Sequence, residues 1–109
     1  MEKRTIIDQI EITKELVVQI RMHKQILDDD GITVINSSNH RTSVEPGFNM
    51  LDVLHNVNTH LNSMGWPSID QNEWEDRIVS VTNVIWTNEV VSEWNAKRAA
   101  LEAAQAPNF

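Results

Sequence analysis

Cysteine is absent from all 109 residues. That rules out disulfides, thiolate metal sites and cysteine nucleophiles. It fits a cytosolic protein or a virus particle assembled in a cytosol. Glycine occurs only three times, so there is no phosphate-cradling glycine loop. Serines are present, but none stands in a G-x-S-x-G turn. Apolar runs extend only a few residues, whereas a membrane-spanning helix needs about 20. The opening Met1-Glu2-Lys3-Arg4 leads into no long apolar stretch, so no signal peptide is expected. Positive charge is scarce: 9 Lys and Arg stand against 16 Asp and Glu, a net charge of −7. The residues before Phe48 carry −2 and those from Phe48 onward −5. No basic stripe is available to neutralise phosphates, which argues against nucleic acid and anionic membranes as partners.

What is present suits one domain over 1–109. Apolar residues make up 40 % of it, a slightly thin supply for a core. A chain of this kind often completes itself against a neighbour.

The first third alternates with period two. Ile6, Ile10 and Ile12 fall on even positions, interrupted by Asp8. Leu16, Val18, Ile20 and Met22 then alternate with Val17, Gln19, Arg21 and His23. One dry and one wet face predict two strands, and the polar break Thr13-Lys14-Glu15 predicts an antiparallel hairpin. Asp30-Gly31 is a second turn signal, since both residue types tolerate positive φ. Ile32, Val34 and Ile35 start a third strand, which turns polar from Asn36 to Thr42 and stops at Glu45-Pro46-Gly47. Such a polar strand belongs at an edge, or on a ribbon projecting from the sheet. The expected topology is a three-stranded antiparallel β-meander over 4–45.

Helical spacing takes over in 48–105. Met50, Leu54, Val57, Leu61 and Met64 form one stripe with Leu51 on its flank, and Gly65 and Pro67 end it. Asp70 and Glu73 have capping-box spacing, and Glu73, Glu75 and Asp76 load the first turn with the charge the helix dipole favours. Trp74, Ile78, Val81 and Ile85 predict the second helix. Thr87 caps a third, with Val90, Val91, Trp94 and Leu101 as its apolar side and Glu93–Lys97 as an i,i+4 pair. Residues 99–106 are alanine-rich, and Pro107-Asn108-Phe109 is expected to fray. Strands first and helices second make the fold class α+β, a meander followed by three short helices.

Catalytic chemistry finds little footing. His55 and His60 lie five residues apart, about 140° around a helix, and so share no face. His23 and His40 are placed on polar strand faces. Asp28, Asp29 and Asp30 lack the spaced oxygens of a calcium loop and read as a solvated turn. Glu73, Glu75 and Asp76 are explained by their place at a helix start. The expectation is no enzyme, no metal and no cofactor.

Binding residues are better supported. Trp74 and Trp94 lie on helix stripes and read as core. Trp66 and Trp86 stand at helix boundaries, where an indole either anchors a partner or packs an inter-helix corner. Along the polar strand, Asn36, Ser38, His40 and Thr42 either border a free edge that accepts a strand from another chain or belong to an ordinary protected edge.

Several segments together resemble a known group. They are Arg4-Thr5-Ile6, the run Val18-Gln19-Ile20-Arg21-Met22, the stretch His40-Arg41-Thr42-Ser43-Val44-Glu45-Pro46-Gly47, and the close Ile85-Trp86-Thr87-Asn88-Glu89-Val90-Val91-Ser92-Glu93-Trp94. In this order they resemble small proteins encoded among the tail and tail-fibre genes of tailed bacteriophages, over most of the chain. The resemblance implies a non-catalytic structural protein of a tail, baseplate or tail-fibre complex, acting as an adaptor. It would be assembled in the host cytoplasm, retained in the virion, and present in multiple symmetric copies beside other tail or fibre proteins. The alternatives are a tail-fibre assembly chaperone that leaves the finished particle, or a small host-directed inhibitor.

Overall fold

The alternation around Val18–Met22 becomes the middle of a sheet. The computed structural model describes residues 2–105, with only the backbone of Gln105. Strand β1 is Glu2–Ile12, β2 is Val18–Leu27 and β3 is Val34–Val44, all antiparallel in the order β1-β2-β3. Three helices follow: α1 at Met50–Ser63, α2 at residues 71–85 and α3 at Asn88–Gln105. The fold is α+β, sheet first and helices second. The fraying expected of 107–109 lies outside the described residues.

Helices cover one face of the sheet. Val18, Ile20 and Met22 of β2 are buried there with Ile7 and Val44 from the flanking strands. Met50, Leu54, Val57 and Leu61 of α1 and Trp74 and Ile78 of α2 complete the same core. Burying each such side chain is worth about 1.5–3 kcal/mol. Trp74 is wholly enclosed, and its indole N–H donates to the Met50 carbonyl at 2.9 Å. That bond ties the start of α1 to α2 from inside the core.

The β1–β2 turn corrects the reading of Leu16 as a strand residue. Leu16 has φ +66°, and Thr13 N–H donates to Val17 O at 2.9 Å to close the turn. Strand β2 therefore starts at Val18, and a left-handed conformation at a non-glycine residue costs about 1–2 kcal/mol. Two indoles brace the strained turn: Trp86 Nε1 donates to Leu16 O at 2.8 Å and Trp94 Nε1 to Glu15 O at 3.0 Å.

Strand β1 contains a bulge that overturns the even-position reading. Ile7 pairs with Met22, but Gln9 pairs with Arg21, leaving Asp8 as the extra residue. Parity reverses at that point. Thr5 and Ile7 face the helices before the bulge and Ile10 after it, so Ile7 is core while Ile6 is only half-buried. Ile12, paired with Val18 at the strand's end, is exposed. Asp8 turns outward, where Arg21 Nε donates to its carboxylate at 2.7 Å and His23 Nε2 lies 3.2 Å away.

At the β2–β3 turn Gly31 has φ +70°, as the Asp-Gly signal implies. The Asp30 carboxylate accepts from Ile32 N, Thr33 N and Thr33 Oγ1. Those bonds, led by the Thr33 hydroxyl, hold its carboxyl below the usual range.

Helix α1 starts where Asn49 Oδ1 accepts from Leu51 N and Asp52 N, a cap the sequence reading missed. It ends in a Schellman motif: Gly65 (φ +82°) N–H donates to Asn62 O and Trp66 N–H to Leu61 O. Met64 and Leu51, assigned to the apolar stripe and its flank, are exposed.

Helix α2 differs from its predicted stripe for a reason like that in β1. Its first turn, Gln71–Trp74, opens into a π-turn at Glu75–Val79 before Ser80–Ile85 resumes α geometry. The wider turn shifts the phase by one residue. Thr82 is therefore buried where Val81 was expected, with its hydroxyl donating to Val79 O. The capping box does not form. Asp70 stands at the N-cap position without a side-chain cap bond, and Glu73 reaches away to the sheet.

Helix α3 is 18 residues long rather than short. Thr87 caps it through Oγ1 to Val90 N. Val91 and Trp94 are half-buried, while Leu101 is exposed, so the apolar side stops a turn or two in. Trp94, read as core, instead lies half-buried at the margin under Lys97 and Arg98. Arg98 also stacks on Phe48 and donates to Pro46 O at 2.5 Å, fastening α3 to the end of β3.

A candidate protein-binding surface

A three-stranded sheet has two edges, and each exposes backbone donors and acceptors unless something meets them. Here the two edges are treated differently. Along β1, Lys3 Nζ donates to Gly65 O at 3.2 Å and Thr5 Oγ1 to Pro67 O at 2.8 Å. Glu73 Oε1 accepts from the Ile7 backbone N–H at 3.1 Å. The α1–α2 connection and the first turn of α2 therefore pack against β1, and Glu73 satisfies one backbone donor of its edge, that of Ile7. Strand β3, 11 residues long, is the other edge of the sheet and has β2 as its strand neighbour.

Strand β3 carries neither lysine nor proline, and its interior has one formal charge, Arg41. It pairs with β2 in register from Val44 opposite Val18 to Asn36 opposite Ile26. Alternation puts Asn36, Ser38, His40 and Thr42 on the face that also carries Met22 and Ile20, the face the helices cover. That cover is incomplete. Thr42 and His40 are half-buried, whereas Ser38 and Asn36 are exposed because α1 ends before reaching them. The placement of His40 on a polar, solvated face is therefore corrected. Its ring lies 5.1 Å from that of His60, centroid to centroid. Burial pushes the His40 imidazole below its ordinary value of 6.5, and the positive charges of His60 and Lys24 push the same way.

Trp66 sits at the rim of the same region. It is half-buried against the core, with Lys3 Nζ 5.1 Å and Lys24 Nζ 5.7 Å from its ring centroid. Lys24 pairs with Ser38 across the sheet. The structure therefore brings five of the six candidate contact residues together: Asn36, Ser38, His40, Thr42 and Trp66. Trp86 is apart from them, half-buried at the opposite end of the sheet, with its N–H spent on Leu16. Lys3 and Lys24 were not singled out from the sequence, and His60 enters there only with His55 as a metal ligand. The only available signal was that Lys24 continues the even-numbered series Val18, Ile20, Met22.

Beyond this region the β2–β3 hairpin ends in exposed apolar side chains, with Ile32 79 % and Ile35 49 % accessible. The opposite sheet face is polar, with a hollow of about 250 Å³ lined by Gln9, Glu11, Gln19, Arg21 and Arg41. Among the described residues no three or more His, Asp or Glu side chains gather where they could hold a metal ion. No described helix is long and apolar enough to cross a membrane. No family model matches the chain, and neither a curated protein nor a solved structure does.

Proposed function

We propose that this chain is a non-catalytic adaptor in a phage tail, baseplate or tail-fibre complex, and that it docks by adding a partner strand to β3. The observation that carries the docking part is the asymmetry between the two sheet edges. On β1 the Glu73 carboxylate takes the backbone N–H of Ile7 and the α1–α2 connection bonds Lys3 and Thr5, while β3 is an edge strand most of whose residues, 34–39 among them, are exposed. Strand addition supplies affinity through main-chain bonds, and side chains at alternate positions supply choice. The phage part rests on the resemblance of the β-segments and of the Trp86–Trp94 segment to tail-associated proteins.

Quantitative mass spectrometry of purified particles tests the placement. A fixed copy number, in multiples of three or six, is expected of an adaptor in a symmetric assembly. Absence from particles together with abundance during infection overturns the adaptor reading in favour of a transient chaperone or a host-directed binder.

A further inference from the structure

The cations of this acidic chain are unevenly placed. Lys3 pairs with Ile26 and Lys24 with Thr5 on β1 and Ser38 on β3, so both lysines lie on the helix-side face. The imidazoles of His40 from β3 and His60 from α1 border the lysines, their rings 5.1 Å apart. Trp66 stands between the two ammonium groups and the core. Together they form a shelf. Its floor is the far half of the sheet, its wall is the end of α1 and Trp66, and its open side is the β3 edge. Among the described residues neither lysine is paired with a carboxylate. Lys3 donates to a backbone carbonyl, and both ammonium groups lie over the indole.

Resting on the strand-addition reading above, we infer that the partner segment is acidic: an extended peptide that pairs with β3 and sets its carboxylates on the Lys3–Lys24–His40–His60 shelf. Three observations carry this. The shelf holds two lysines, Lys3 and Lys24, with no carboxylate partner among the described residues, on a protein whose net charge is −7, so an acidic segment gains attraction there. The shelf lies on the helix-side face next to the β3 edge, and backbone pairing selects a peptide over a nucleic acid. In β geometry every second side chain of the added strand points to the shelf face, so alternate acidic residues would suffice.

The test is selection from a random peptide display library against the intact chain, followed by amide-shift mapping of the selected peptides. The expected result is enrichment of peptides with acidic residues at alternate positions, shifts confined to β3 and the shelf, and weakening by added salt. Lys24→Glu should lose about tenfold in affinity, because reversal removes an attraction and adds a repulsion. Lys24→Gln should lose less, and unchanged circular dichroism and Tm for both variants would show that the fold is intact. Neutral or basic peptides bound along β3 would overturn the acidic partner while leaving strand addition standing. No peptide shifting β3 amides, or shifts there produced only by single-stranded DNA, would overturn both, whereas shifts produced only by a second copy of the chain would overturn the acidic partner and leave strand addition standing.

Discussion

Glu73 offers the sharpest test of how the β1 edge is closed. Read from sequence, it is a first-turn residue that complements the helix dipole, a contribution of about 0.3–1 kcal/mol. In the structure its carboxylate accepts the half-buried Ile7 N–H at 3.1 Å, and Arg77 Nε lies 4.0 Å away. The Arg77 side chain is 60 % exposed, so that pair is worth only about 0.3–0.5 kcal/mol. The Ile7 bond dominates. Removing its acceptor strands a backbone donor, which costs about 1–3 kcal/mol. Glu73→Ala should therefore destabilise the protein by about 2–3 kcal/mol in urea unfolding. Glu73→Gln, which keeps an oxygen in place, should cost about 1 kcal/mol. Glu75→Ala, on the exposed side of the same helix, should stay within about 0.5 kcal/mol. Hydrogen exchange supplies a second readout, because the Ile7 amide should exchange faster in the alanine variant. A cost below about 1 kcal/mol for Glu73→Ala, with Ile7 exchange unchanged, would refute the edge-closing role and return Glu73 to the dipole.

Other consequences can be checked directly. Ile78→Ala should cost about 2–5 kcal/mol, whereas Val84→Ala, at a side chain 76 % exposed, should change stability by less than about 0.5 kcal/mol; equal effects in denaturant titrations would contradict the buried face assigned to α2. Gly47 has φ +95°, and an added Cβ would lie 3.2 Å from Val91 Cγ1, so Gly47→Ala should lower stability by about 1–2 kcal/mol, visible as a reduced Tm. His40 has a folded-state pKa below its unfolded value of 6.5. The unfolded chain therefore binds the proton more readily, and the stability tied to neutral His40 is present above pH 6.5 and lost as pH falls through the folded pKa. His40→Gln should flatten that part of a stability profile taken from pH 7.5 downward, and an unaltered slope would show that His40 is not its source.

The sequence revealed the kinds of element but not the phase within them. Period-two runs and helical spacings located three strands and three helices, because burial on one face imposes those periods. Both failures of phase come from one extra residue. Asp8 bulges out of β1 and makes Ile7 core in place of Ile6, and the π-turn at Glu75–Val79 makes Thr82 core in place of Val81. The bulge is stabilised by contacts distant in sequence, such as Asp8 with Arg21, which no local pattern reports. Glu73 misled for the same reason, since its partner Ile7 lies 66 residues away. The candidate surface was half legible. The polar run from Asn36 marked an edge, but the other edge's closure by the α1–α2 connection was invisible. So was the meeting of Lys3, Lys24 and His60 beside that run. Trp66 and Trp86 looked equivalent at helix boundaries, and only tertiary structure separates them, one at the shelf and one bracing the Leu16 turn.

The central claim is that partners join at the open β3 edge. A photo-crosslinking residue placed in turn at Ser37, Asn39 and, on the opposite sheet edge, Glu11 tests it most directly in cells that express the chain. The account predicts one discrete protein adduct from the β3 positions and none from Glu11. Adducts from Glu11 alone, or none from β3 while the folded chain is abundant, would contradict it.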